Sequence, residues 1–407
     1  MSRVLLTWEL GLNLGHLARL APIAQRLKAD GHTVLLASRD VQAAAAVFGP
    51  LGIPFVQAPH LPKGIALAHR ACGYADILLA QGWSDRSALW GLTHSWLNLF
   101  RLFRPDRLVL DYSPTVSLAG RIADIPAVLV GNGFEIPPAT DPLPEFPGFS
   151  WATPEKAANS EKAAVTNANE VLRAFGQPPI GAFRDLIGNR SRLLLTVPEL
   201  DHYDRREAET YVGPLTGGVA GAPLTWTDAL DSPKVFACLR PDTSNVTQIL
   251  QALASSPWRV ILVAMGFIQA QLAPYLRPHI QIASGPVDLS GLLDADLCLS
   301  YGAEGTMMRF LQAGVPQIIA PWHVEAFIVA RKIGAAGAGT SLAGCKTAQE
   351  VSTACERTLT DPSIRESAVE LSKRLHRFPQ QAGIDAVIDA LSPHPPDASL
   401  PPRAATA

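Results

Sequence analysis

"RVLLTWELGLNLGHLARLAPIAQRLKADGHTVLLA", residues 3–37, reads as a strand, a glycine-bearing turn, a helix and a second strand. The run Val4-Leu5-Leu6 is apolar without alternation, as a strand covered on both faces requires. Gly11 and Gly15 follow, then His16, where a helical pattern begins. Over 16–29, Leu17, Leu20, Ile23, Ala24 and Leu27 fall on one stripe, and Gly31 closes the segment. Further strands are expected at 54–57, 107–110, 126–130 and 192–197, and then at 235–239, 260–264, 279–283, 297–300 and 317–321. Strand–helix–strand alternation of this kind predicts parallel sheets with helices on both faces.

The 407 residues therefore divide into two Rossmann-like α/β domains, expected at 1–205 and 206–375 and facing one another across a cleft. The Gly- and Pro-rich stretch 213–223 marks the join. A helix at 376–391 and a Pro- and Ala-rich tail at 392–407, expected to be disordered, complete the chain. Hydrophobic residues make up 48% and charged residues 17%, enough to fill two cores. A net charge of −2 lacks the basic excess of a nucleic-acid binder. The five cysteines form no CxxC pair, so neither a zinc site nor a disulfide framework is expected, and no metal is required. Without an apolar run long enough to span a bilayer or a signal-peptide pattern, a cytoplasmic protein is expected.

The turn before His16 has the form G-x-x-x-G-H, which is not the dinucleotide fingerprint G-x-G-x-x-G, and this argues against a nicotinamide oxidoreductase. Glycines there permit a tight turn and close approach to the backbone. A helix start disfavours imidazolium through the macrodipole, which favours the neutral ring a general base requires. Asp111, ending "RPDRLVLDY" (104–112), is the candidate partner, because the carboxyl ends of parallel strands share one sheet edge. A cap substitute for His16 and a helix start for Asp111 are the plainer alternatives.

The second half holds "LCLSYGAEGTMMRFLQAGVPQIIAP", 297–321. A strand breaks at Tyr301-Gly302, passes Gly305 and Thr306, and is expected to enter a helix over Met307–Ala313. Free N–H groups at such a helix mouth suit a diphosphate; a packing turn is the alternative. No Gly-Lys-Thr follows, so this is no P-loop.

These segments resemble the GT-B glycosyltransferases of the UDP-glycosyltransferase and macrolide-glycosyltransferase type. "LGHLARLAPIAQRLKADGHTV", "RPDRLVLDY" and "SYGAEGTMMRFLQAGVPQIIAPWHVEAFIVARKIGAAGAG" carry the likeness. The resemblance implies an inverting transfer of sugar from a nucleotide diphosphate sugar, UDP- or dTDP-linked, to a small-molecule or lipid hydroxyl. It implies His16 as base, Asp111 as its partner, and a donor site of Tyr301, Gly302, Ala303, Glu304, Gly305, Thr306 and Glu325. Tyr301 stands where the family has a phosphate-contacting histidine, Ala303 where it has glycine, and Glu325-Ala326 where it has Asp-Gln. Arg309 replaces the ribose-binding glutamate and has donors only, which leaves Glu304 as the candidate ribose acceptor. These departures also admit a catalytically silent GT-B binding or partner protein. His323 is either a phosphate contact or an ordinary loop residue.

On the acceptor side, "AQGWSDRSALWGLTHSWLNLFRLF" (80–103) carries a helical apolar stripe. Its plain reading is core; the sharper one puts Trp83, Trp90 or His94 on an acceptor cleft. The Pro-rich segment 131–151, with Glu135, is read as an acceptor loop or a solvated connector.

Overall fold

The computed structural model describes residues 1–392 apart from 13, 189, 205, 207, 208, 218–220, 227–230 and 244. Seven strands form the first sheet: β1 (Arg3–Trp8), β2 (Thr33–Ser38), β3 (Phe55–Gln57), β4 (Arg107–Asp111), β5 (Ala127–Gly131), β6 (Ser191–Leu194) and β7 (Thr210–Tyr211). All pair in parallel, in the order β3-β2-β1-β4-β5-β6-β7. A short parallel pair, β8 (Ala222–Pro223) and β12 (Val287–Asp288), flanks the second sheet. That sheet is built from β9 (Lys234–Leu239), β10 (Arg259–Ala264), β11 (Ile280–Ala283), β13 (Leu297–Ser300), β14 (Gln317–Ile319) and β15 (Gly339–Ser341), in the order β11-β10-β9-β13-β14-β15. Both orders reverse direction about the first strand of their sheet, the point where open α/β sheets form a crevice at their carboxyl ends.

The Gly15–Ala29 helix starts and ends where its stripe predicts, with Leu17, Leu20, Ile23, Ala24 and Leu27 buried against β1, β2 and β4. Three expectations need correction. The first sheet runs on to Tyr211, past the boundary at 205, because Thr210–Tyr211 pairs with β6. The C-terminal helix expected from 376 is preceded by a separate helix, Pro362–Leu375, and starts only after Pro379, as Gln380–Leu391. The second of these returns to the first domain: Ile384, Val387 and Leu391 join its core, and Arg26 pairs with Asp385 at 2.6 Å. The third concerns the glycine-rich turn. The helix after β13 spans Glu304–Gln312, so Glu304, Gly305 and Thr306 form its first turn and are not a preceding loop. Of the tail, only Ser392 lies within the described residues.

No described helix is long and apolar enough to cross a membrane.

Candidate active site

The register of β1 against β4 sets Trp8 beside Asp111, so the turn after β1 and the end of β4 meet on one edge. Leu10 N–H donates to the Tyr112 carbonyl at 3.0 Å, tying the two together. Gly11 sits at φ +85°, and a Cβ there would collide with His16 Nε2. The glycine thus lets the imidazole lie against the backbone. Trp8 stacks on the ring from the other side, with centroids 4.9 Å apart.

His16 is 7% exposed and Asp111 fully buried, and Nδ1 lies 3.0 Å from Asp111 Oδ1. Among the described residues Nε2 has no hydrogen-bond partner, and the residue lines the cleft. One helical turn on, Arg19 enters the same cluster, three residues being the spacing that puts two helix positions on one face. Its Nε donates to Asp111 Oδ2 and its Nη2 to Asp111 Oδ1, both at 2.8 Å. Nη2 also donates to Glu135 Oε1 and lies 2.6 Å from His16 Nδ1. Burial pushes the Asp111 carboxyl upward, but Arg19 and His16 outweigh it and hold it below its ordinary value. Burial likewise opposes the Arg19 charge, while Asp111, Glu135 and Glu304 keep it firmly protonated.

The second domain contributes acids in a different state. Glu304 Oε2 lies 3.5 Å from Arg19 Nη1, and Asn132 Nδ2 donates to Glu304 at 3.0 Å and to Glu325 at 3.1 Å. Asn132 is fixed by its own turn, its Oδ1 accepting from Phe134 N–H and Glu135 N–H. Burial raises Glu304 to about 8 and Glu325 to about 7. His202, 2% exposed, points Nε2 at Glu325 from 3.9 Å, and burial drops it to about 3.

Between the two domains lies a cavity of about 740 Å³, in the range of small-molecule sites. His16, Arg19, Tyr112 and Glu135 line one wall. Tyr301, Gly302, Ala303, Glu304, Gly305, Thr306 and Glu325 line the other, so the seven expected donor-site residues share one surface. Gly302 stands at φ +93°, where a Cβ would come within 2.8 Å of Ala326. The first turn of the Glu304–Gln312 helix has no side-chain cap, which leaves its N–H groups to the cleft. Arg240 lies over the Tyr301 and Trp322 rings, 5.9 Å and 5.4 Å from their centroids. Arg309 also faces the cavity. His323 lines it too, but its Nδ1 accepts from Ala326 N–H at 3.3 Å, capping the Val324–Ala335 helix, and burial lowers it to about 4.

Three expected acceptor residues lie elsewhere. Trp83 is buried in the first domain's core, its Nε1 donating to Thr115 Oγ1 at 3.2 Å. Trp90 is 43% exposed and stacks on His94, with Phe175 beside them, on the outer face of the Arg86–Phe103 helix. The apolar stripe of that helix is occupied by packing, so neither face reaches the cleft. Glu135 alone of the four does, though inside the Arg19 cluster. The segment 131–151 leans on the second domain instead: Arg331 Nη1 donates to the Pro147 carbonyl at 2.6 Å, and Phe149 meets Phe327 edge-on.

Sequence reading missed Arg19, Asn132 and His202. For Arg19 the signal was present, a cation one turn from His16 between the buried positions Leu17 and Leu20.

Among the described residues, two groups of side chains could hold a metal: His16, Asp111 and Glu135, and His69, Cys72 and Asp76. In the first, the Arg19 guanidinium already supplies the positive charge. In the second, Asp76 accepts from Cys72 N–H, Gly73 N–H and Ser160 Oγ–H, which occupies both oxygens.

Residues 271–391 match the family described as erythromycin biosynthesis protein CIII-like, C-terminal domain. A PGL/p-HBAD biosynthesis rhamnosyltransferase from Mycobacterium bovis is 27% identical over 300 residues, 68% of this chain. The chain spans 66% of that relative, a little under two thirds of its length. The elloramycin glycosyltransferase ElmGT of Streptomyces olivaceus is 27% identical over 125 residues, 31% of each chain. Among solved structures, the spinosyn rhamnosyltransferase SpnG superposes with a TM-score of 0.70 at 20% identity, over 96% of this chain and 100% of that one. The glycotransferase of kitacinnamycin gives 0.73 at 18% identity, over 96% and 99%. The fold is therefore GT-B.

Proposed function

We propose that this chain, a GT-B protein of the UDP-glycosyltransferase and macrolide-glycosyltransferase type, transfers a sugar from a nucleotide diphosphate sugar to a hydroxyl acceptor, with inversion. One observation carries the reading. An imidazole partnered by a buried carboxylate faces, across a single cavity, the uncapped first turn of a helix in the other domain.

In the reaction His16 Nε2 takes the proton of the acceptor hydroxyl, and Asp111 holds Nδ1–H and stabilises the imidazolium that results. The acceptor oxygen attacks the anomeric carbon from the face opposite the diphosphate. One C–O bond forms while the bond to the leaving phosphate oxygen breaks, and the anomeric configuration inverts. The leaving diphosphate, UDP or TDP, gathers charge beside the free N–H groups of the Glu304–Gln312 helix and the Thr306 hydroxyl. Tyr301 offers one further donor. The apolar wall formed by Ile77, Tyr112 and Phe134 suits a hydrophobic small-molecule or lipid acceptor. SpnG has been solved with a spinosyn aglycone and with thymidine diphosphate, which supports both choices by analogy.

Thermal melting against UDP, TDP and GDP, each with and without sugar, tests the reading. One nucleotide at a hundredfold excess over its Kd is expected to add about 2.7 kcal/mol of stability. Melting temperatures unchanged by all of them at millimolar concentration would refute it.

A further inference from the structure

Resting on the transferase reading, we propose that Arg39 binds a carboxylate on the acceptor, so that the chain glycosylates the hydroxyl of a largely apolar hydroxy acid. The first sheet sets the residue in place. Arg39 directly follows β2, whose last residue, Ser38, pairs with Trp8, and Trp8 pairs in turn with Asp111. These three form one row across the carboxyl edge of the sheet. Adjacent strands lie about 4.8 Å apart, so Ser38 stands about 10 Å from the partner of His16, with Arg39 one residue beyond the row. Arg39 lines the same cavity as His16 and the apolar wall of Ile77, Tyr112 and Phe134. Gln81 lines it too, where Gly82 breaks the helix at φ +106°, and offers an amide donor.

The partners of Arg39 are few for a half-buried cation. Among the described residues its one side-chain hydrogen bond runs from Nη1 to the Glu9 carbonyl at 2.9 Å, and no carboxylate stands within ion-pair distance. Burial opposes the charge, and Glu9 and Tyr112 offset this only in part. The Glu9 carboxyl is itself buried, accepts from Thr115 N–H at 2.9 Å and is pushed up to about 7, which makes it a weak counter-charge near neutrality. Asp40, next in the chain, is turned to Ala43 N–H as the cap of the Val41–Phe48 helix. The other cation of the first-domain wall, Arg19, is neutralised by Asp111 and Glu135. Arg240 and Arg309 line the cavity from the second domain, where the diphosphate lies. Nε and Nη2 of Arg39 make no hydrogen bond among the described residues, and that edge of the guanidinium matches a planar carboxylate.

Calorimetric titration of the full chain, saturated with UDP or TDP, tests this with three hydroxy acids, each against its own methyl ester: para-coumarate, para-hydroxyphenylpropanoate and omega-hydroxylaurate. The ester keeps the hydroxyl and the apolar body and removes only the charge. At least one acid is expected to bind about tenfold to a hundredfold more tightly than its ester, the range of a hydrogen bond to a charged group. In Arg39→Gln the two are expected to bind within about threefold of one another. Should that variant fail to fold, Arg39→Met keeps the packing of the stem without the charge and is expected to give the same result. Esters that bind as tightly as their acids, or a preference for the acid that survives in a folded variant, overturn the proposal. So does binding of none of the three pairs to a chain that binds nucleotide, and in each of these cases the transferase reading stands. A wild-type chain that binds neither UDP nor TDP sinks that reading and the proposal together.

Discussion

Asp111 and Glu304 are acids on opposite walls of one cleft, and they are held in opposite states. Asp111 is fully buried yet stays below its ordinary value, because Arg19 gives it two hydrogen bonds and His16 a third contact. Glu304 receives one amide hydrogen bond and a long contact to Arg19, with Glu135 and Glu325 nearby, and rises to about 8. Asp111 is wholly buried and Glu304 mostly so, and the number and charge of the partners decides the outcome. The cleft is thereby divided into an ionised wall that can orient a base and a largely protonated wall that can admit an anion.

Breaking the ionised wall should have the largest effect. Asp111→Asn leaves Arg19 without its main counter-charge, and removing one partner of a buried pair costs about 3–5 kcal/mol. It also removes the acceptor for Nδ1–H, so a fall in transfer of about 10⁴ is expected in whatever folds. Urea unfolding and product formation measure the two losses; a variant with wild-type stability would show that Arg19 does not depend on Asp111.

Sharpening the contrast through pH is a smaller effect. Glu304 and Glu325 have folded-state values raised from 4.5 to about 8 and about 7, so the folded form binds more protons than the unfolded form between those limits. Their contribution is full below about 4.5 and is lost as pH rises through 7 and 8. Buried Glu9, raised to about 7, adds to the slope. Asp111, lowered, gives the reverse dependence, lost as pH falls below its ordinary 3.8. Urea midpoints are expected to decline from pH 5 to pH 8, and Glu304→Gln to flatten the upper part of that decline. An unchanged slope in the variant would place the protonating acid elsewhere.

Much of this arrangement was legible in the sequence, for a physical reason. Unbroken apolar strands imply parallel sheets, parallel sheets share a carboxyl edge, and that edge brings the turn at His16 to the end of β4. The Tyr301–Thr306 stretch of the facing wall was legible for the same reason, since it follows β13 directly, as Glu325 follows β14. What escaped depends on contacts that sequence distance hides. Asn132 meets Glu304 across 172 positions, and Arg19 meets Asp111 across 92. Glu304 itself was placed in a loop because Gly305 and Thr306 read as turn residues, whereas the helix starts before them. The tryptophans misled because an aromatic at helical spacing looks alike whether it fills a core, as Trp83 does, or stacks outside it, as Trp90 does.

The smallest effect follows from that last point. Trp90→Ala, on the outer face, is expected to leave transfer within about twofold and stability within about 0.5 kcal/mol. A large rise in acceptor KM would return the outer face to the acceptor site.

The most direct measurement pairs calorimetric titration of UDP and TDP with a product assay in wild type and His16→Ala. Nucleotide binding is expected to stay within about threefold, because His16 lies on the opposite wall, while sugar transfer drops by about 10² or more. Undiminished transfer in His16→Ala would contradict the role of this imidazole as the base.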